Sequence, residues 1–224
     1  MPELSTYSLS DFVMFSPSVY YRLFELENQR LWPYHVFVPV AGIVATAMIL
    51  RANARSRRAA IVMLASAWIV CAWVYFRQSY STIHTFGNAF AIVFVVQAAA
   101  LLLQAAAGAS SDATIARPIV ERAGFALVVY AIFVQPPVFF VLGRPLIQTE
   151  LFAFMPDPTV LATIGVLAAI PDVVVWLFLV PLVWSLYSGL TLYSMGSDDA
   201  FVPLLQAAIA LMFGISRWRD RRAI

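Results

Sequence analysis

Residues 156–172 read PDPTVLATIGVLAAIPD, in which a run of twelve largely apolar residues, 159–170, is closed by proline and aspartate on each side. As a helix this run rises only about 18 Å, whereas the hydrocarbon core of a bilayer is about 30 Å thick. Short apolar segments bounded by proline mark binding sites in some transporters, and the alternative is a short helix that packs behind its neighbours. Whether the run crosses a membrane decides on which side the rest of the chain lies.

The composition of the chain indicates a membrane protein. Of its 224 residues 62% are apolar and 12% are charged, and the mean hydropathy is +0.84. Soluble domains have about 45–50% apolar and about 25% charged residues. These values exclude a soluble globular enzyme, a disordered protein and a nucleic-acid binder that works through a basic surface.

Six longer apolar runs surround the short one, and each approaches the roughly 20 residues that a spanning helix needs. They are residues 33–50, 59–76, 86–107, 123–142, 173–195 and 201–216. Pro136-Pro137 and Pro181 fall within the fourth and sixth spans, where proline removes a backbone donor and interrupts the helix. The predicted fold is all-α, a polytopic transmembrane helical bundle with about seven crossings, of which the fifth is short.

The arginines predict the orientation of this bundle. All fourteen basic residues are arginine, and the absence of lysine excludes a retinal Schiff base. Cytoplasmic loops carry an excess of basic residues. Seven crossings place ten arginines inside, in residues 51–58, 117–122 and 217–222, and four outside, whereas six crossings give six inside and eight outside. We therefore predict seven crossings with the N-terminus outside and the C-terminus inside.

Residues 16–32 predict an amphipathic helix that lies in the membrane interface. Ser16 suits the N-cap and Pro17 the first helical position. One face of the helix carries Tyr20, Leu23, Phe24 and Leu31, and another carries Arg22, Glu25 and Gln29. Because residues 1–12 are polar, we expect no cleavable signal peptide. The predicted organisation is an N-terminal interfacial segment, 1–32, and a single transmembrane helical domain, 33–224.

Several short motifs resemble an uncharacterised family of bacterial multi-spanning integral membrane proteins, a domain of unknown function sometimes labelled permease. They are Phe15-Ser16-Pro17, Tyr20 to Glu25, Asn28, Trp32-Pro33, Gly143-Arg144, Pro156-Asp157-Pro158-Thr159, Trp184 and Ser188-Gly189. The resemblance covers nearly the whole chain. It implies a multi-pass protein of the bacterial inner (cytoplasmic) membrane, and it transfers no activity and no functional residues.

Four charged residues near the short run are the candidates for transport or coupling. Asp157 is either a helix cap or a charge at the mouth of the run, where Arg144 or Glu150 could share an ion site with it. Asp172 is either the N-cap of the next helix or an intramembrane carboxylate that couples to a proton or cation.

His35 and His84 are weaker candidates, as ligands of a transition metal or a haem. Their spacing does not support a metal site, and the alternative is a pair of interfacial histidines that hydrogen-bond locally. The chain carries no sequence motif for catalysis, so we expect no enzyme activity, no resident metal and no cofactor.

Two functions remain open at this point. The leading hypothesis is transport of a small solute or ion near the short fifth segment. The alternative is a non-catalytic structural or accessory subunit packed in a larger respiratory or photosynthetic membrane complex. The expected partners are the lipid bilayer and, in the second case, other membrane subunits, but no nucleic acid. Copurification with partners in fixed stoichiometry would favour the subunit.

Overall fold

The computed structural model describes residues 15–51, 53–108, 118–171 and 173–222. Within these ranges the chain forms nine α-helices and no β-strand, which confirms the all-α prediction. The helices are α1 Pro17–Arg30, α2 Phe37–Leu50, α3 Ala54–Cys71, α4 Gly87–Ala107, α5 Pro118–Val129, α6 Gln135–Val141, α7 Pro156–Ala169, α8 Leu179–Ser194 and α9 Phe201–Arg222.

In the part of the chain that the structure describes, five continuous helical stretches are long and apolar enough to cross a membrane. They are Ala54–Thr82, Gly87–Ala107, Pro118–Val141, Val175–Ser194 and Phe201–Arg219. α1 and the helical residues Tyr34–Leu50 meet the same criterion together, with a bend of 91° between them, and α7 is a shorter apolar helix. Each of the seven apolar runs found in the sequence therefore coincides with helix, within a few residues.

Two of these stretches contain wider, π-helical turns. α3 continues through the π-helix Ala72–Ser79 and a 3₁₀ turn, and α5 continues through the π-helix Tyr130–Val134 into α6. The second π-helix ends where Pro136 and Pro137 occupy the first turn of α6, because proline cannot donate to the preceding turn. Pro181 lies in the first turn of α8, so it begins that helix rather than interrupting it.

The short helix α7 forms the centre of the bundle. All fourteen of its residues are buried, and it contacts α3, α5, α8 and α9. Its closest neighbour is α5, where a Cβ on Gly165 would lie only 2.6 Å from the carbonyl oxygen of Gly124. The helix that is shorter than a usual membrane span is thus buried among the other helices.

α7 runs between two chemically different ends of the bundle. Its last turn is held by Arg217 of α9, which donates to the carbonyls of Ala168 and Ile170 at 2.8 and 2.9 Å. Arg57 and Arg122 lie beside the same turn, so we call this the arginine end. The opposite end, where α7 begins, we call the cluster end, after the charged side chains described below.

α1 lies across the cluster end, with the predicted N-cap. The Ser16 hydroxyl accepts a hydrogen bond from the Val19 amide, and Pro17 is the first helical residue. Tyr20, Leu23 and Phe24 are buried against the bundle, as the apolar face predicts. The same face buries Glu27 and Asn28, which brings polar groups into the interior of the protein.

Candidate functional site: a buried charge cluster

Three of the four candidate transport residues lie together at the cluster end. Arg144, Glu150 and Asp157 are 8%, 1% and 2% exposed, and Asp199 joins them at 6%. We call these four residues the charge cluster. The fourth candidate, Asp172, lies outside the described residues.

Arg144 is the positive centre of the cluster. It follows Gly143, whose φ of +93° suits glycine, and its backbone N–H donates to Phe139 at 3.0 Å to close the end of α6. Its guanidinium donates to Glu150 at 3.2 Å and to Asp199. The same group lies over the rings of Tyr21 and Phe139, at 4.7 and 4.3 Å from their centroids. Arg144 therefore joins α1, α6 and the turn before α9.

Asp199 is the member of the cluster that sequence reasoning missed. It lies in the turn between α8 and α9, next to Asp198, whose side chain is exposed. Asp199 accepts hydrogen bonds from Ser197 Oγ at 2.6 Å and from Tyr21 at 3.4 Å, besides those from Arg144. Nothing in the sequence distinguishes two adjacent aspartates in an exposed-looking turn, so only packing against α1 and Arg144 separates them.

Glu150 has the fewest hydrogen-bond partners of the carboxylates in the charge cluster. One of its carboxylate oxygens accepts from Arg144, and the other, Oε2, has no hydrogen-bond partner among the described residues. Burial and then the nearby charge of Asp157 raise the pKa of Glu150 to about 8, although Arg144 opposes them. This shift favours the protonated, uncharged form of Glu150 at neutral pH.

The segment that carries Glu150 is held in place by α1. Asn28 of α1 donates to the carbonyl oxygens of Ile147 and Thr149, at 2.8 and 2.9 Å. Glu27, one residue earlier, accepts from Ser79 at the end of the π-helix Ala72–Ser79. The polar side chains on the buried face of α1 thus connect this helix both to the segment before Glu150 and to the end of the long helical stretch Ala54–Thr82.

Asp157 links α7 to α8 and does not cap its own helix. Its Oδ1 accepts from Trp184 Nε1 and its Oδ2 from Ser188 Oγ, both at 2.7 Å. Thr159, the alternative cap, instead accepts from the Ala153 amide at 2.9 Å and donates to the Met155 carbonyl at 2.7 Å. The capping interpretation of Asp157 is therefore wrong: Ser188 and Trp184, both on α8, use both of its oxygens.

Rings from three helices position Trp184 for this bond. Trp184 packs against Phe76 and Phe94, with ring centroids 5.0 and 5.4 Å apart, and Phe94 packs in turn against Trp68 at 4.2 Å. Trp68 donates to Thr163 of α7 at 2.7 Å. Both tryptophans in this column thus direct their indole N–H groups at α7, so its register is fixed against α3 and α8.

The two histidines lie apart from the cluster and from each other. His84 accepts from the Phe86 amide through Nδ1 at 3.1 Å, so its proton lies on Nε2, which contacts the Tyr187 hydroxyl at 3.1 Å. Burial lowers the pKa of His84. His35 packs near Trp32 and Phe154. In the described part of the chain, no group of three or more His, Cys, Asp or Glu residues could hold a metal ion.

A model of DUF6064, a family of unknown function, matches residues 17–223, so the chain belongs to this family. The resemblance of the sequence motifs to an uncharacterised family is thereby confirmed. No curated protein and no solved structure matches the chain. The charge cluster must therefore be interpreted from its own chemistry.

Proposed function

We propose that this DUF6064 protein is a multi-pass protein of the bacterial inner membrane that moves a small solute or ion and couples the movement to a proton at the charge cluster. The observation that carries the proposal is the burial of three carboxylates around one guanidinium in an otherwise apolar helical bundle. Glu150 is the proton-exchanging group, and Arg144 and Asp157 set its charge environment.

The proposed orientation has seven crossings, with the N-terminus outside and the C-terminus inside. In support, Arg57, Arg122 and Arg217 lie at one end of the bundle, and α7 runs from that end to the charge cluster. Basic residues concentrate on the cytoplasmic side. A C-terminal fusion to a reporter active only in the cytoplasm is expected to be active, and activity of a periplasmic reporter at that position would overturn the topology.

Charge balance is the reason for assigning a proton. If all three carboxylates are ionised, Arg144 compensates one of them and two negative charges stay buried without a cation. An uncompensated buried charge costs several kcal/mol, and a carboxyl group avoids that cost by taking up a proton. The cluster therefore favours at least one proton at neutral pH.

Hydrogen bonding selects Glu150 as the group that takes the proton. Asp157 accepts on both oxygens, and Asp199 accepts from Arg144, Ser197 and Tyr21. Such bonds stabilise a carboxylate in its charged form. Glu150 has only the Arg144 bond and one oxygen without a partner, so neutralisation removes its charge without breaking a second hydrogen bond.

Two measurements test the assignment. Purified protein in liposomes that contain a pH-sensitive dye is driven by a potassium diffusion potential, and proton entry is followed over time. We expect faster entry than in protein-free liposomes and loss of that difference in Glu150→Gln. Infrared difference spectra of the same samples should contain a carboxylic-acid band that titrates near pH 8 and is absent from Glu150→Gln.

Asp198→Asn is the matched control, because it removes the exposed carboxylate next to Asp199. The control should keep the proton flux and the infrared band. Wild-type flux equal to that of protein-free liposomes would refute proton movement through the protein, and an unchanged band in Glu150→Gln would refute the proton assignment separately.

One observation favours the accessory-subunit alternative. Aromatic side chains on the outside of the bundle are strongly exposed, with Trp73 at 61%, Trp176 at 77% and Tyr193 at 65%. Large rings of this kind also serve as anchors in protein interfaces. Purification in mild detergent separates the two functions, since partners retained in fixed stoichiometry together with absent proton flux would favour the subunit.

A further inference from the structure

A groove at the arginine end has the composition of a lipid-binding site. It opens between the ends of α2, α3, α5 and α7 and has a volume of about 340 Å³. Its lining residues are Ile49, Leu50, Arg57, Pro118, Glu121, Arg122, Phe125, Ala169 and Ile170. This volume falls in the range of small-molecule pockets, about 300–1,000 Å³.

We propose that this groove binds one anionic phospholipid, with the phosphodiester at Arg57 and Arg122 and the acyl chains along the apolar wall. The two guanidiniums come from different helices, α3 and α5, and neither forms an ion pair with another described residue. Arginine binds phosphate oxygens through paired N–H groups. Basic pockets between membrane helices on the cytoplasmic side have this chemistry in general.

The single carboxylate in the groove limits the choice of headgroup. Glu121 lies beside Arg122 in sequence, so the lining carries a net charge of +1 when all three groups are ionised. That net charge favours a headgroup with one negative charge over a zwitterionic one. A glycerol headgroup, as in phosphatidylglycerol, also offers a hydroxyl that can donate to Glu121.

The apolar residues of the groove would contact the acyl chains of the lipid. Ile49, Leu50, Phe125 and Ile170 give the same groove an apolar wall beside the two arginines. A free phosphate ion would use the arginines alone, whereas a phospholipid uses both parts of the lining. The proposal depends on the protein lying in a membrane and is independent of any proton at the charge cluster.

The test uses the delipidated full-length protein in mild detergent, with thermal unfolding measured as lipid is added. Phosphatidylglycerol should raise the Tm of the wild-type protein. The double variant Arg57→Gln/Arg122→Gln should need at least about tenfold more lipid for the same shift, because it lacks both guanidiniums that bind the phosphodiester. Phosphatidylcholine, phosphatidylethanolamine and inorganic phosphate should each give a smaller shift at equal concentration.

Arg77→Gln is the control variant. Arg77 lines a larger groove between α3 and α4, about 420 Å³, and is the only arginine among the described residues that line it. Its loss therefore removes a charge from another mostly apolar groove. The control should keep the wild-type response to phosphatidylglycerol. An equal response to phosphatidylethanolamine, an equal response to inorganic phosphate, or an unchanged response in the double variant would each overturn the proposal. Native mass spectrometry of the same samples reports lipid binding directly, even if the double variant is less stable.

Discussion

The two ends of the bundle carry charge in opposite ways. At the cluster end Arg144, Glu150 and Asp199 are buried and ion-paired, and Asp157 is buried between two hydrogen-bond donors. At the arginine end Arg51, Arg55 and Arg58 are exposed, and Arg57 and Arg122 face an open groove. Exposed charges interact with water and lipid headgroups at little cost, whereas buried charges depend on each other. In the proposed topology the exposed charges mark the cytoplasmic side, and the buried charges exchange the proton.

Removal of Arg144 should have the largest effect, and it tests whether buried and exposed charges differ in their contribution to stability. Arg144→Met should destabilise the protein by about 3–5 kcal/mol, because it leaves buried carboxylates without their cation. The control Arg22→Met removes an exposed arginine of α1 that pairs with the partly exposed Glu25 and should cost about 1 kcal/mol or less. Unfolding by denaturant in mild detergent measures both variants, and equal losses would show that burial does not distinguish the two charges.

The second test adds a methyl group to the close contact between α5 and α7, the helix that runs between the two ends of the bundle. Gly165→Ala should cost about 1–3 kcal/mol, because the added Cβ would meet the Gly124 carbonyl oxygen at 2.6 Å. Gly214→Ala is the matched control, since its Cβ would lie 3.7 Å from the nearest side-chain atom. The same unfolding assay should report almost no loss for the control. A Gly165→Ala protein as stable as the control would mean that the two helices can separate freely.

The dependence of stability on pH sharpens the comparison further. Because the pKa of Glu150 is raised from 4.5 to about 8 on folding, the folded protein binds more protons than the unfolded chain between these values. The contribution of Glu150 to the free energy of unfolding is therefore greatest below about pH 4.5. It falls as the pH rises towards 8, by at most about 1.4 kcal/mol per pH unit.

Glu150→Gln should flatten the dependence of the free energy of unfolding on pH in this range. The variant should therefore become more stable relative to the wild-type protein as the pH rises. Unfolding measured from pH 5 to 9 on both proteins checks the sign. Parallel profiles for the two proteins would show that Glu150 does not titrate in this range. Asp198→Asn, with its exposed carboxylate, should follow the wild-type profile.

The smallest effect is expected at the arginine end. Arg55→Gln removes an exposed charge on the first turn of α3 and should change stability by about 0.5 kcal/mol or less. The denaturant assay used for Arg144→Met applies here as well. A loss comparable with that of Arg144→Met would contradict the division between the two ends.

Much of the architecture could be predicted because it depends on local pattern. Apolar runs of sufficient length predict helices, and Ser16-Pro17 predicted where α1 begins. The periodicity of α1 also indicates a buried carboxylate, since Glu27 follows Phe24 by three residues and Leu23 by four. That spacing places Glu27 on the buried face, where the structure has it.

The charge cluster was only partly predictable. Asp157, Arg144 and Glu150 lie within fourteen residues of one another, so a shared site could be proposed from proximity in sequence. Asp199 and the α1 side chains lie far away along the chain and reach the cluster only through packing. Only the capping alternative for Asp157 is wrong, and for the same reason, because its partners Trp184 and Ser188 are on another helix.

The sequence by itself determined that this chain is helical and apolar, since run length and composition act locally and do not depend on which helices meet. Only the tertiary structure decided that the twelve-residue run lies at the centre of the bundle, with every side chain of α7 buried. It also decided which carboxylates lose contact with water. Burial is set by neighbours from distant parts of the chain, and it changes the free energy of a charge far more than any local pattern can.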